Sequence, residues 1–202
     1  MINHKNEVLL DEKYEEKYSV VFIEDIKIYL IDNRYIRIDG KPVIGIYNSN
    51  KIPQLEKTLL IWRNKAKELK IGELFIISNL NIKEKNNSKL FNAFYMLPPN
   101  DLFENEIIEN TREKYYYYYG LLNINIISDM NKNNFTIYKG TMLKFDNSTI
   151  NKKGKIFRNY SPEIFYLFNK YLIEWTKDNY NMSNRIIFVN SWNNYFILKE
   201  HI

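Results

Sequence analysis

Residues 43–77, VIGIYNSNKIPQLEKTLLIWRNKAKELKIGELFII, carry the strongest indication of a fold in this chain. The short apolar run Val43 to Tyr47 predicts a buried strand, and Leu74 to Ile77 predicts a second one. Between them Pro53 suits the first turn of a helix that ends near Gly72. The helix is indicated by apolar residues at helical spacing, namely Leu55, Leu59, Trp62, Ala66 and Leu69. This order is a βαβ unit, whose two strands lie parallel.

The segments before this unit predict a helix and a turn. Asp11 to Ile31 has apolar residues at helical spacing and acidic residues in its first turns, where the helix dipole favours them. Asp39-Gly40 indicates a tight turn, and Pro42 cannot donate a hydrogen bond within a central strand.

The segments after this unit continue the alternation. Ser161 as N-cap and Pro162 at the first position open a helix. Three short strands are predicted at Phe91 to Met96, Thr141 to Phe145 and Arg185 to Asn190. The tyrosines Tyr115 to Tyr119 fit either a strand or an aromatic surface helix. We therefore predict an α/β fold with a parallel sheet and alternating helices, in one domain over residues 1–202.

Composition excludes several kinds of site. The 202 residues contain no cysteine and two histidines, so thiolate chemistry is impossible and a histidine metal cluster or Ser-His-Asp triad is disfavoured. Six glycines are spread singly, without GxGxxG or a P-loop. We expect no cofactor and no metal.

Charge and hydropathy bear on partners. The net charge of +5 is scattered along the chain, whereas nucleic-acid binding needs a clustered basic face, so no nucleic-acid partner is expected. The apolar stretch Tyr18 to Ile31 is interrupted by charged residues, and Met1 to Leu10 is polar, unlike a secretion signal. We expect no membrane insertion and a cytoplasmic location.

Several segments, in a shared order, resemble the WbsX-like family of polysaccharide biosynthesis proteins, which are similar to glycoside hydrolase family 99. The later matches resemble the family patterns F-D-A with P-P-H-G, W-D-N-T, S-T-P-E and I-N-A-W-N. The matching segments here are Glu7 to Leu10, Arg34 to Pro42, the strand ending in Tyr47, Ile52-Pro53, Trp62-Arg63, Phe91 to Phe94 with Pro98-Pro99, Phe145 to Ser148, Ser161 to Glu163, and Phe188 to Asn193.

The resemblance implies a (β/α)8 TIM-type barrel, of which about five strands are recognisable here, so that the chain is a truncated, C-terminal part of the domain. It also implies that two family glutamates are replaced, by Asn194 and Ile197, and a family histidine by Asn100. Glycoside cleavage generally uses two carboxyl groups, and neither an amide nor an alkyl group transfers protons as an acid or base. Whether the chain is an enzyme therefore stays open, and we assign no catalytic residue.

Six residues at predicted strand ends are candidates for substrate binding, because barrel enzymes place their sites there. Three of them have a plain alternative: Asp146 in a turn or helix cap, Trp192 in core packing, and Tyr47 in plain packing instead of a pocket wall. The candidates are Tyr47, Asp146, Asn147, Trp192, Asn193 and Asn194.

The leading hypothesis is a truncated, catalytically impaired glycan-processing domain, of glycosyltransferase or glycoside hydrolase ancestry, in bacterial surface polysaccharide (lipopolysaccharide O-antigen or capsule) biosynthesis. The alternative is a non-catalytic glycan-binding or scaffolding module. The expected partners are an oligosaccharide or polysaccharide, and an upstream-encoded barrel half or a second copy, because an incomplete barrel leaves open sheet edges.

Overall fold

A computed structural model describes residues 16–80, 89–98, 109–111, 114–118, 136–142, 155–158 and 161–190. Contacts group the chain into two compact units. The first comprises residues 1–78 and 87–92, and the second comprises residues 79–86 and 93–202. Our expectation of a single domain over residues 1–202 stays a prediction.

The first unit contains the predicted βαβ arrangement. Its elements are α1 (Glu16–Leu30), β1 (Arg37–Ile38), β2 (Lys41–Ile46), α2 (Leu55–Glu68) and β3 (Phe75–Asn79). Strands β2 and β3 pair in parallel, from Val43 opposite Phe75 to Ile46 opposite Ser78. The parallel strand pair confirms the prediction from residues 43–77.

The turn at Asp39-Gly40 is also confirmed, and it makes a hairpin that we did not predict. Both residues have positive φ, 50° and 75°, which is the conformation of a two-residue hairpin turn. Strand β1 therefore pairs antiparallel with the start of β2, with Arg37 opposite Pro42. Pro42 lies one residue before the parallel ladder with β3 begins, so its missing N–H leaves that ladder intact.

Helices α1 and α2 run parallel and pack through one apolar seam. Ion pairs join Glu16 to Lys57 and Glu24 to Lys65 at 2.5 and 2.8 Å, two pairs with the same offset along both helices. Trp62 is buried, as predicted, and its ring lies 4.7 Å from that of Phe22. Helix α2 begins at Leu55, not at Pro53, because Gln54 adopts the left-handed conformation as its N-cap.

The second unit contains most of the short strands and one long helix. Helix α3 (Pro162–Asn179) starts as predicted, since the Ser161 hydroxyl accepts a hydrogen bond from the Ile164 N–H at 3.2 Å. Of the tyrosines left open above, Tyr115 to Tyr118 lie in strand β6. The strands are β4 (Ala93–Tyr95), β5 (Glu109–Thr111), β6 (Lys114–Tyr118), β7 (Ile137–Tyr138), β8 (Gly140–Met142), β9 (Lys155–Arg158) and β10 (Phe188–Asn190).

Pairing in the second unit is mostly parallel. β4 pairs with β7, β8 with β10, and β6 with β9 in parallel, while β5 pairs with β6 antiparallel. The protein is therefore α/β with mostly parallel strand pairing, as predicted. Strands β5, β7 and β9 were missed because each has only two to four residues, too few to show the alternation of a strand.

Candidate functional site

In the first unit the carboxyl end of β2 presents an exposed aromatic ring. Tyr47 follows Ile46, and its side chain is 61% exposed. Ile46 lies opposite Ser78, whose hydroxyl is buried and has no hydrogen-bond partner. Of the two alternatives for Tyr47, the exposed position fits a surface role rather than core packing. Its contact with a sugar stays a prediction.

In the second unit, residues 136–142 pair in parallel with two other strands. Residues 136–142 form one run, interrupted at Lys139, that pairs with β4 through its first half and with β10 through its second half. The Met96 N–H donates to the Tyr138 carbonyl and the Phe188 N–H to the Lys139 carbonyl, both at 3.0 Å. The ladder thus changes partner around Lys139, and β8 and β10 end side by side, at Met142 and Asn190.

Two of the predicted binding segments follow these strand ends in the sequence. Met142, the last residue of β8, lies opposite Asn190, the last residue of β10. The chain beyond Met142 contains Asp146 and Asn147, and the chain beyond Asn190 contains Trp192 and its neighbours. Five candidates lie outside the described residues: Asp146, Asn147, Trp192, Asn193 and Asn194. So does Ile197. What the register brings together is the two strand ends that lead into these segments.

Aromatic packing joins the two outer strands of this group. The rings of Tyr95 in β4 and Phe188 in β10 stack with centroids 4.6 Å apart and planes at 30°. Tyr95 is buried. The last residue of β4 is therefore in direct contact with the first residue of β10.

A buried lysine, which the sequence analysis missed, lies between β7 and β8. Lys139 is 1% exposed, and its ammonium lies 4.7 Å from the centre of the Trp175 ring of α3. Burial away from water lowers the pKa of Lys139 to about 8, because the charged form loses hydration. The signal available beforehand was a single charge within the apolar run Ile137 to Met142.

Tyr180, the residue that follows α3, is hydrogen-bonded to β7. The Tyr180 hydroxyl donates to the Ile137 carbonyl at 2.8 Å, and its ring contacts those of Tyr138 and Trp175 at 5.7 Å each. Burial raises the pKa of the Tyr180 phenol, and this hydrogen bond to the backbone partly offsets the shift. Trp175 is therefore a packing residue, in contact with both Tyr180 and Lys139.

A second polar feature lies in the first unit, at the start of α1 and α2. A cavity of about 260 Å³ is bordered by the Glu16–Lys57 ion pair and by the buried residues Ser19 and Thr58. None of the predicted site residues lines it. Within the described parts of the chain, no cluster of three or more His, Cys, Asp or Glu could hold a metal ion. Nor is any helix there long and apolar enough to cross a membrane.

Comparison with known proteins places the chain in a family. The model of the family described as glycosyltransferase WbsX matches residues 2–196. Two proteins named WxcX, from two strains of Xanthomonas campestris pv. campestris, are similar in sequence, with identities of 23% over 195 residues and 22% over 203 residues.

Each comparison covers 93% of this chain but 28% of the WxcX protein, so the chain spans just over a quarter of the length of these relatives. No solved structure matches. Because the family model matches almost the whole chain, the chain belongs to the glycosyltransferase WbsX family.

Proposed function

We propose that this chain is a glycan-processing domain of bacterial surface polysaccharide biosynthesis, which binds an oligosaccharide or polysaccharide at the carboxyl ends of β8 and β10. The observation that carries the proposal is the pairing of Met142 with Asn190. Because these two residues are neighbours, the two segments that follow them in the sequence begin at neighbouring points of one sheet edge. One segment contains Asp146 and Asn147, and the other contains Trp192, Asn193 and Asn194. Flat rings stack on sugars, and amides and carboxylates pair with hydroxyl groups.

Within this proposal the sheet is part of a (β/α)8 barrel of the glycoside hydrolase family 99 type. The support is the parallel pairing and the helix that precedes β10, together with strand ends that meet at one edge, which is where barrel enzymes place their sites. The proposal also places the domain in the cytoplasm. An upstream-encoded barrel half, or a second copy of the chain, would complete the sheet.

A non-catalytic glycan-binding module is the second candidate function. Two positions that are glutamates in the family pattern are Asn194 and Ile197 here. Since neither side chain can transfer a proton as an acid or base, we propose binding with impaired turnover.

The test is a binding and turnover assay on α-linked mannose oligosaccharides. We expect saturable binding by calorimetry at millimolar or tighter strength and no release of reducing sugar. Asp146→Asn and Trp192→Ala should abolish binding. Matched controls are Asp178→Asn and Tyr166→Ala, exposed residues of α3, which should leave binding unchanged. Robust hydrolysis would contradict impaired catalysis, and binding that survives both site variants would contradict the proposed site.

A further inference from the structure

Gly140, the first residue of β8, lies directly beside the backbone that leaves β4. A Cβ atom at this position would lie 2.2 Å from the Met96 carbonyl oxygen and 2.8 Å from Cδ of Pro98. Gly140 is also the register partner of Phe188 in β10. The backbone that leaves β4 therefore rests directly on residue 140, in the space that any other residue would fill.

The glycine is required for space and not for backbone conformation. Gly40 and Gly72 have positive φ of 75° and 99°, and neither has an atom within 4 Å of its would-be Cβ. Gly140 has no such φ, and its first obstacle is a backbone oxygen, which cannot swing aside as the end of a flexible side chain can. Gly140 is therefore required by the lack of space around it, whereas Gly40 and Gly72 are favoured by their backbone conformation.

We propose that Gly140 is a positioning residue for the glycan site: it sets the position of the exit arm, residues 96–98, beside β8, two residues before the carboxyl ends of β8 and β10. This inference rests on the proposed function. The exit arm is held by the Met96 N–H bond to Tyr138 on one side and by contact with Gly140 on the other. Pro98 also leads into Pro99, part of a segment that resembles the family pattern.

Any side chain at residue 140 must displace the exit arm. To restore an ordinary contact, the Met96 carbonyl would have to move by about 1 Å. We expect the displaced arm to weaken glycan affinity at least about tenfold, which corresponds to about 1.4 kcal/mol.

The experiment compares Gly140→Ala with Gly72→Ala, which adds the same methyl group where positive φ makes it strained but no atom is near. Amide chemical shifts, unfolding midpoints and glycan affinity are measured for both variants and the parent chain. We expect Gly140→Ala to shift the Met96 and Leu97 amides and weaken affinity at least tenfold. Gly72→Ala should lower the unfolding midpoint and leave both the exit arm and the affinity unchanged.

Equal effects of the two variants on affinity, in proportion to lost stability, would overturn the inference, as would unchanged Met96 and Leu97 amides in Gly140→Ala. Should the parent chain bind no glycan, the proposed function fails, whereas the amide shifts still decide whether residue 140 places the exit arm.

If Gly140→Ala does not fold, Pro98→Ala takes its place, because it removes the Cδ contact without adding bulk. We then expect shifted Met96 and Leu97 amides and an affinity weakened about threefold relative to the parent. An unchanged Met96 amide in a folded Pro98→Ala variant would overturn the inference.

Discussion

Both units contain a pair of parallel strands, but the segments that connect the paired strands differ. In the first unit β2 and β3 are joined by a single helix within one short stretch of sequence, and the seam under that helix is apolar. In the second unit β8 and β10 are separated by β9 and α3. Both units bury polar side-chain atoms without a hydrogen-bond partner, Trp62 Nε1 and Ser78 Oγ in the first and Thr141 Oγ1 and Thr176 Oγ1 in the second. Among the described residues, what distinguishes the second unit is therefore a buried charged residue, Lys139, whose burial is costly.

The largest effect should come from the apolar seam of the first unit. Trp62→Ala removes a buried ring that packs against Phe22, and it should lower the free energy of unfolding by about 3–5 kcal/mol. Leu60→Ala, at an exposed position of the same helix, is the control and should change it by less than about 0.5 kcal/mol. Urea unfolding measures both variants. A loss below about 1 kcal/mol for Trp62→Ala would show that packing in this seam does not stabilise the first unit.

The second prediction concerns the pH dependence that the buried lysine confers. The pKa of Lys139 is lowered from 10.5 to about 8 in the folded chain, so between these values the unfolded chain binds more protons. Stability should therefore rise as the pH increases from 8 towards 10.5, by at most about 3 kcal/mol.

Lys139→Met is the matched variant, because methionine keeps much of the volume and removes the charge. It should stabilise the chain at pH 7 and flatten the rise measured between pH 7 and 9.5, a range in which the raised pKa of Tyr180 keeps that phenol protonated. The same slope in both proteins would assign the pH dependence to another group.

The smallest expected effect concerns the hydrogen bonds of Arg63 in the first unit. The Arg63 guanidinium donates to the carbonyls of Leu74 and Leu90 and, at 3.3 Å, to the Asn92 side-chain oxygen, which also accepts from the Ile76 N–H. Burial lowers the pKa of Arg63, and the charge of Glu73 partly offsets this. A carboxylate at residue 92 would accept the same two hydrogen bonds, from Arg63 and from the Ile76 N–H, and its charge would strengthen both.

Asn92→Asp should therefore raise the free energy of unfolding by about 1 kcal/mol at pH 7. The gain should disappear on acidification, because Arg63 lowers the folded-state pKa of the introduced carboxyl and protonation below that pKa removes the ion pair. Asn64→Asp, at an exposed position of α2, is the control. Destabilisation by Asn92→Asp at pH 7 would show that Arg63 gains nothing from a charged partner.

The elements that sequence analysis located are those whose signals are local. Apolar spacing from Leu55 to Leu69 placed α2, and Ser161-Pro162 placed the start of α3 to the residue. The family resemblance was likewise readable in short segments, and the match over residues 2–196 confirms it. Element ends were less accurate, as Gln54 shows, because a left-handed N-cap leaves no mark in the apolar pattern.

What the residue pattern could not supply is the pairing of distant strands. Nothing near Ile137 indicates that this strand changes partner at Lys139, that Met142 meets Asn190, or that Gly140 receives the backbone leaving β4. The physical reason is that helix spacing and caps depend on residues within a turn or two of each other. Strand register and close backbone approach depend instead on contacts between residues that are far apart in the chain.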